Sequence, residues 1–230
     1  MKKYKFEQKL TEAVITGTDR QCVSVLIDGE ERKARCHLLW NMEEGTPCLV
    51  SYGNNGYMVE AVSFYAGNQT DKEWFCINPL LFEHAVCYFL ENHYMEDMTG
   101  DHGNVSRLSD TRDSGFDIET ENAGIEVKVP LVIPNRTGSC AWKSFHQAVK
   151  QIIRYCSNSA VKEKSKRILL LTVCQHGTGQ MQSMADGRIK DELKKAVSMG
   201  IECWIAETKT GPDGISLMSH QNFTDIMLND

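Results

Sequence analysis

The hydrophobic pattern of this chain changes character near residue 70, and that change limits the folds open to it. Before it, β-like runs cover residues 22–27, 33–39, 48–52 and 57–65. The turn signals Asp28-Gly29, Glu44-Gly45 and Asn54-Asn55-Gly56 separate them. Short strands at that spacing predict a small antiparallel barrel or meander. Residues 66–71 read as a linker, which divides the chain into a β domain over 1–70 and a second domain over 71–230.

After the boundary, strands and helices mix. Asn78 is a good helix N-cap and Pro79 suits the first helical position. The helix they open is predicted to run to about His93, with Phe82, Val86, Phe89 and Leu90 at helical spacing. A polar loop covers 96–114. Strands are predicted at 116–120 and 124–130, joined by Glu121-Asn122-Ala123. A helix at 142–157 turns Phe145, Val149, Ile152, Ile153 and Cys156 inward, and a buried-type strand spans 167–174. A helix at 186–199 ends at Gly200, a strand covers 201–207, and Gly211-Pro212-Asp213-Gly214 makes a turn. That order describes a sheet with helices laid against it.

Composition narrows the function classes. With 230 residues, 41% hydrophobic and 24% charged, the chain can bury a real core. Its longest clean apolar run, 168–173, is far short of the ~18–20 residues a bilayer span needs. The start of the chain has positive charge but no apolar segment of signal-peptide type, so a cytoplasmic protein is expected. The balance of 25 basic against 31 acidic residues gives −6, whereas nucleic-acid binders usually carry a basic excess. Any nucleic-acid role must therefore rest on a local patch. Nine cysteines, with no Cys-x-x-Cys, read as small apolar residues of a reduced compartment. Neither Cys36-His37 with Cys48 nor Cys174 with His176 has the paired spacing of a zinc site.

The chemistry concentrates in the strands at 116–120 and 124–130. If residues 121–124 close a hairpin of two or four loop residues, Thr120 pairs with Ile125, Glu119 with Glu126, and Asp117 with Lys128. Side chains alternate faces along a strand, so Phe116, Ile118, Ile125, Val127 and Val129 form one face. Asp117, Glu119, Glu126 and Lys128 form the other. Like charges opposite one another across a strand pair are destabilising, and Lys128 supplies only one countercharge. A divalent ion such as Mg²⁺ takes carboxylate oxygens, keeps positions open for phosphate oxygens and acidifies water. Lys128 could orient that water or steady charge developing on phosphorus. The pattern suggests metal-assisted phosphodiester hydrolysis. It describes an ordinary half-exposed hairpin equally well, and the residues alone leave both readings open.

The run Ser114-Gly115-Phe116-Asp117-Ile118, followed by Gly124-Ile125-Glu126-Val127-Lys128-Val129, resembles the paired motif of the sugar fermentation stimulation protein family. That family's pattern is roughly S-R-I-D-F, a turn, then V-E-V-K. Its C-terminal part resembles PD-(D/E)xK nucleases, and an OB-like barrel precedes it. Cys76-Ile77-Asn78-Pro79 sits where the family has V-N-T before its first helix. The strand at 169–174 with Gln175-His176 fits the family strand ending in Q-R. Asp186, Ala196 and Gly200 match its last helix.

The resemblance implies an N-terminal OB-like β-barrel followed by a restriction-endonuclease-like α/β domain. It implies Asp117, Glu126 and Lys128 as catalytic residues, with Mg²⁺ or Mn²⁺ on Asp117 and Glu126. In nuclease-fold proteins the first helix can add one more carboxylate, which favours Glu83; a solvated helix face explains Glu83 as well. Gly115 stands where the family has Arg, and Arg112 or Arg107 could replace that phosphate contact. His146, Lys150 and Arg154 form a helical row, which with Gln147 would touch phosphate oxygens or simply face water. The family's basic run near the barrel start is replaced by Thr18-Asp19-Arg20-Gln21-Cys22-Val23. Trp40 and Trp74 read either as base-stacking or as core residues.

The function expected is therefore a metal-dependent nuclease or nuclease-like DNA-binding protein, its DNA binding weak and independent of sequence. The alternatives are a non-catalytic DNA-binding regulator of sugar-utilisation genes and a protein-interaction domain.

Overall fold

The computed structural model describes residues 2–19, 22–37, 42–63, 72–100, 104–107, 116–129, 150, 166–176 and 187–224. The chain divides into two compact units, one of residues 3–82 with 209–216, the other of 1–2, 83–208 and 217–230. The expected linker at 66–71 and most of the expected helix at 142–157 lie outside the described residues; Lys150 is helical and exposed.

In the first unit, five strands close a barrel: β2 (Thr11–Thr18), β3 (Val23–Ile27), β4 (Glu30–Cys36), β5 (Pro47–Gly53) and β6 (Gly56–Val62). β2 pairs with both β3 and β5, β3 with β4, and β5 with β6, all antiparallel. A parallel β4–β6 pairing, Ala34 to Tyr57 through Cys36 to Val59, closes the ring. This is the strand order of an OB-like barrel. The β3–β4 reversal uses Asp28 (φ 50°) and Gly29 (φ 82°), the left-handed pair that a two-residue hairpin turn requires. Residues alternate across the wall: Ala13 and Ile15 are buried while Val14 is exposed. β7 (Phe75–Cys76) adds to β6, and β1 (Lys3–Lys5) pairs with residues 214–216. Trp74 is 6% exposed and packs with Leu10, Leu49 and Ala61, so it is a core residue and not a base-stacking platform.

The second unit is built on β8 (Ser106–Arg107), β9 (Ile118–Glu119), β10 (Ala123–Lys128), β11 (Arg167–Gln175), β12 (Ile201–Gly211) and β13 (Gly214–Asn222). Its sheet runs β13-β12-β11-β10-β9-β8. β10, β11 and β12 are parallel, and β8, β9 and β10 are antiparallel neighbours. The helices are α1 (Pro79–Glu91), α2 (Glu96–Thr99) and α3 (Gly187–Ser198). Leu193, Ala196 and Val197 of α3 pack on Leu170 and Cys174 of β11 and on Ile201, Cys203 and Ile205 of β12. The architecture is thus a mixed α/β one, an OB-like barrel followed by a restriction-endonuclease-like α/β unit. Among the described residues, no helix is long and apolar enough to cross a membrane.

Candidate functional site

β10 carries the site, and its position in the sheet explains why its sequence is mostly apolar. It lies between parallel β11 and antiparallel β9, and Ala123 through Val127 are all buried. A strand covered on both faces reads as a nearly continuous hydrophobic run. Glu126 is the one charged residue within that buried stretch, 8% exposed.

The hairpin into β10 is tighter than the sequence suggests. Thr120 N–H donates to the Ala123 carbonyl at 2.8 Å, and Thr120 Oγ1 accepts the Ala123 N–H at 3.0 Å. The loop is therefore Glu121-Asn122, and the register pairs Glu119 with Gly124 and Ile118 with Ile125. This corrects the expected pairing by two residues. A slip of two keeps every side chain on its face, so the acidic face survives, but its neighbours change. Glu119 does not oppose Glu126; it pairs with Lys166 at 3.1 Å. Asp117 takes that place instead.

Asp117 is fixed by the backbone of the strand beside it. Its N–H donates to the Ile125 carbonyl at 3.1 Å, and its Oδ2 accepts the Val127 N–H at 2.8 Å. Lys128 Nζ reaches both acids, 2.7 Å from Glu126 Oε1 and 3.4 Å from Asp117 Oδ2. Burial holds Glu126 above its ordinary carboxylate range, aided by Asp117 and opposed by Lys128. Burial pulls the Lys128 ammonium down, but Glu126 and Asp117 outweigh it and hold the net shift upward.

Glu83 joins this group from α1, which starts as the sequence predicts. Asn78 Oδ1 accepts the Leu80 N–H at 3.1 Å, and Pro79 is the first helical residue. The Glu83 carboxyl is held above its ordinary range by burial first and by the Asp117 charge second; Arg107, Lys128 and Glu126 also act on it. Its Oε2 is buried with no hydrogen-bond partner. One turn on, the Cys87 thiol is pushed up to about 12, chiefly by burial, which rules it out as a ready nucleophile.

The structure thus brings together Asp117, Glu126, Lys128 and Glu83. Arg112, Gln147 and Arg154 lie outside the described residues. Arg107, weighed from sequence only as a stand-in for a missing arginine, comes from a two-residue strand paired at Ile118 and acts electrostatically on Glu83. Phe116 leaves its expected face. A Cβ at Gly124 would stand 2.4 Å from its ring, so the ring lies on the Glu126 side of β10.

Among the described residues, no three His, Cys, Asp or Glu side chains stand in a coordinating arrangement. Lys128 Nζ lies against the acids instead. Among the described residues, Glu83 Oε2 is the one buried carboxylate oxygen of the group without a hydrogen-bond partner.

The fold is that of a solved protein, SfsA of Pyrococcus furiosus in complex with Ca²⁺. The likeness covers 96% of this chain and 97% of that one, with a TM-score of 0.65 and 14% sequence identity. At that identity it speaks for the fold. No family model and no curated protein sequence matches the chain.

Proposed function

We propose that this chain is a divergent member of the sugar fermentation stimulation family and acts on DNA as a divalent-metal-dependent nuclease. The observation that carries the reading is Lys128 in contact with both Asp117 and Glu126, with a Glu83 carboxylate that feels their charges and whose Oε2 has no hydrogen-bond partner. Asp117, Glu126 and Glu83 would hold Mg²⁺ or Mn²⁺. When bound, such an ion supplies Lewis-acid charge to a phosphate oxygen and acidifies water. The Ca²⁺ in the solved SfsA supports the choice, since Ca²⁺ and Mg²⁺ both take carboxylate oxygens.

The remaining work belongs to the chain. The Val127 N–H holds the Asp117 carboxylate in one orientation. Burial of Glu126 thins the water around the reacting phosphate. Lys128 donates to phosphate oxygen once the acids are otherwise engaged. With a charge of −6, phosphate contacts are few, so binding is weak and independent of sequence. Lys128 and Arg107 are the basic residues at the centre, with Lys150, Arg112, Arg154 and Gln147 as further candidates.

A non-catalytic DNA-binding regulator of sugar-utilisation genes is favoured by a single observation: the Lys128 ammonium contacts both acids and offsets part of their charge. Asp117→Asn separates the two readings. The nuclease reading expects cleavage of a generic DNA in Mg²⁺ to fall to the level of a chelated control while binding in Ca²⁺ is retained. Absence of cleavage by the wild type, with binding intact, would favour the regulator.

A further inference from the structure

Asn55-Gly56 is the one Asn-Gly step in the chain, and the fold sets it at the tip of the β5–β6 hairpin. Gly53 pairs with Gly56, so Asn54 and Asn55 make the turn. Residues 52–55 are all exposed. Gly56 has φ 85°, and a Cβ built on it would meet nothing within 4 Å. Its backbone nitrogen is therefore hindered neither by a side chain of its own nor by a neighbour packed where one would stand. The turn is also flanked by glycine on both sides, the residue with the widest backbone freedom. Loop tips of this kind open at the smallest free-energy cost in a fold.

We propose that Asn55 is a site of spontaneous covalent modification, cyclising onto Gly56 and reopening as aspartate or isoaspartate; the proposal is independent of the nuclease reading. The Gly56 backbone nitrogen attacks Cγ of Asn55 and a new C–N bond forms. The Cγ–Nδ2 bond breaks, and ammonia leaves with the proton that the Gly56 nitrogen gives up. Water, the co-reactant, then opens the cyclic imide. Opening at Cγ gives aspartate, and opening at the main-chain carbonyl gives isoaspartate. No oxidation or reduction is involved. Asn54 is the built-in comparison: it is equally exposed, but the residue after it carries a side chain that obstructs the attack. Either product adds one negative charge to a chain of −6. Isoaspartate also lengthens the main chain by one carbon inside a two-residue turn, where loop length sets the strand register. The Tyr52 and Tyr57 rings, with centroids 4.7 Å apart, join the two strands beside that turn and would feel the change first.

The test incubates the intact folded protein at mildly alkaline pH, then maps it by peptide mass spectrometry with fragmentation. Enzymatic methylation of isoaspartate is the second readout. Asn55 is expected to gain the mass of an amide-to-acid exchange and to accept methyl groups, while Asn54, Asn104 and Asn222 stay amides. Gly56→Asn keeps the left-handed conformation, which asparagine tolerates, and should lose most of the conversion. If Gly56→Asn melts well below the wild type, Asn55→Gln decides instead: it keeps an amide in the turn, closes the ring far less readily and should lose both signals. Asn55 that remains an amide in the folded protein, while the same peptide converts when free, overturns the proposal. Conversion that is as fast at Asn54, or that survives Gly56→Asn in a folded variant, overturns it as well.

Discussion

Two buried carboxylates, one in each unit, show what distinguishes a structural acid from a candidate functional one. Glu60 in the barrel is 6% exposed and Glu126 in the α/β unit is 8% exposed, so burial does not separate them. Their company does. Glu60 receives neutral donors, Ser51 Oγ at 2.5 Å and Asn78 Nδ2 at 2.6 Å, and Asn78 is itself held by capping Leu80. Glu126 receives an ammonium, shared with Asp117, while Glu83 stands near with a bare oxygen. The first set is closed, since each group completes another. The second crowds three acids around Lys128, with Arg107 acting on Glu83, and gains from more positive charge.

The sharpest way to break this contrast is Lys128→Met. Removing one partner of a buried ion pair leaves charge uncompensated, and Lys128 answers for two acids. The metal-free protein should lose ~2–3 kcal/mol of stability, just below the ~3–5 kcal/mol of a fully buried pair because Lys128 is partly exposed. Mn²⁺ should return most of that loss, one cation replacing another. Denaturant titrations in chelator and in Mn²⁺ measure both quantities. A loss that Mn²⁺ does not touch would place Lys128 with the structural acids.

Glu60→Gln tests the other side. The amide offers one oxygen where the carboxylate offered two, and its NH₂ faces a donor. A buried group left unsatisfied costs about 1–3 kcal/mol, so the melting temperature should fall, equally in chelator and in Mn²⁺. A Mn²⁺-dependent change would contradict the closed-network account.

The smallest effect has the opposite sign. Glu83 and Glu126 both titrate above the ordinary 4.5, so the folded chain holds their protons more tightly than the unfolded one. The stability they add is complete below pH 4.5 and is lost as pH rises through their raised values. Glu126→Gln should therefore flatten the metal-free stability curve above pH 4.5. At neutral pH it should raise stability by ~0.2–1 kcal/mol, the scale of a relieved like-charge pair. A denaturation midpoint that drops at neutral pH would mean that the bond to Lys128 outweighs burial and Asp117.

How far the sequence carried these conclusions varies by element. The barrel was legible where turn chemistry punctuates it, as at Asp28-Gly29, but β2 was missed. It carries a register shift between Ile15 and Gly17, which breaks the alternation that marks a strand. β13 was missed because Ser219, His220 and Gln221 give its end no apolar period. The face bearing Asp117, Glu126 and Lys128 was legible because side-chain parity survives a slip of two. The register was not, because it turns on Thr120 Oγ1 closing a two-residue loop. Parity also misplaced Phe116, which stands just before β9 begins and does not follow its alternation. Arg107 could not be read as a neighbour of Glu83, since a two-residue strand within a polar loop has no period to detect.

Asp117, Glu126 and Glu83 are proposed to form a place for a divalent cation. Titration calorimetry with Mn²⁺ on the wild type and on Asp117→Asn tests it directly. The account predicts a saturable heat for the wild type, at an affinity low enough for the ion to keep several waters, and its loss in Asp117→Asn with the melting curve of the fold preserved. Indistinguishable heats from the two proteins would contradict it.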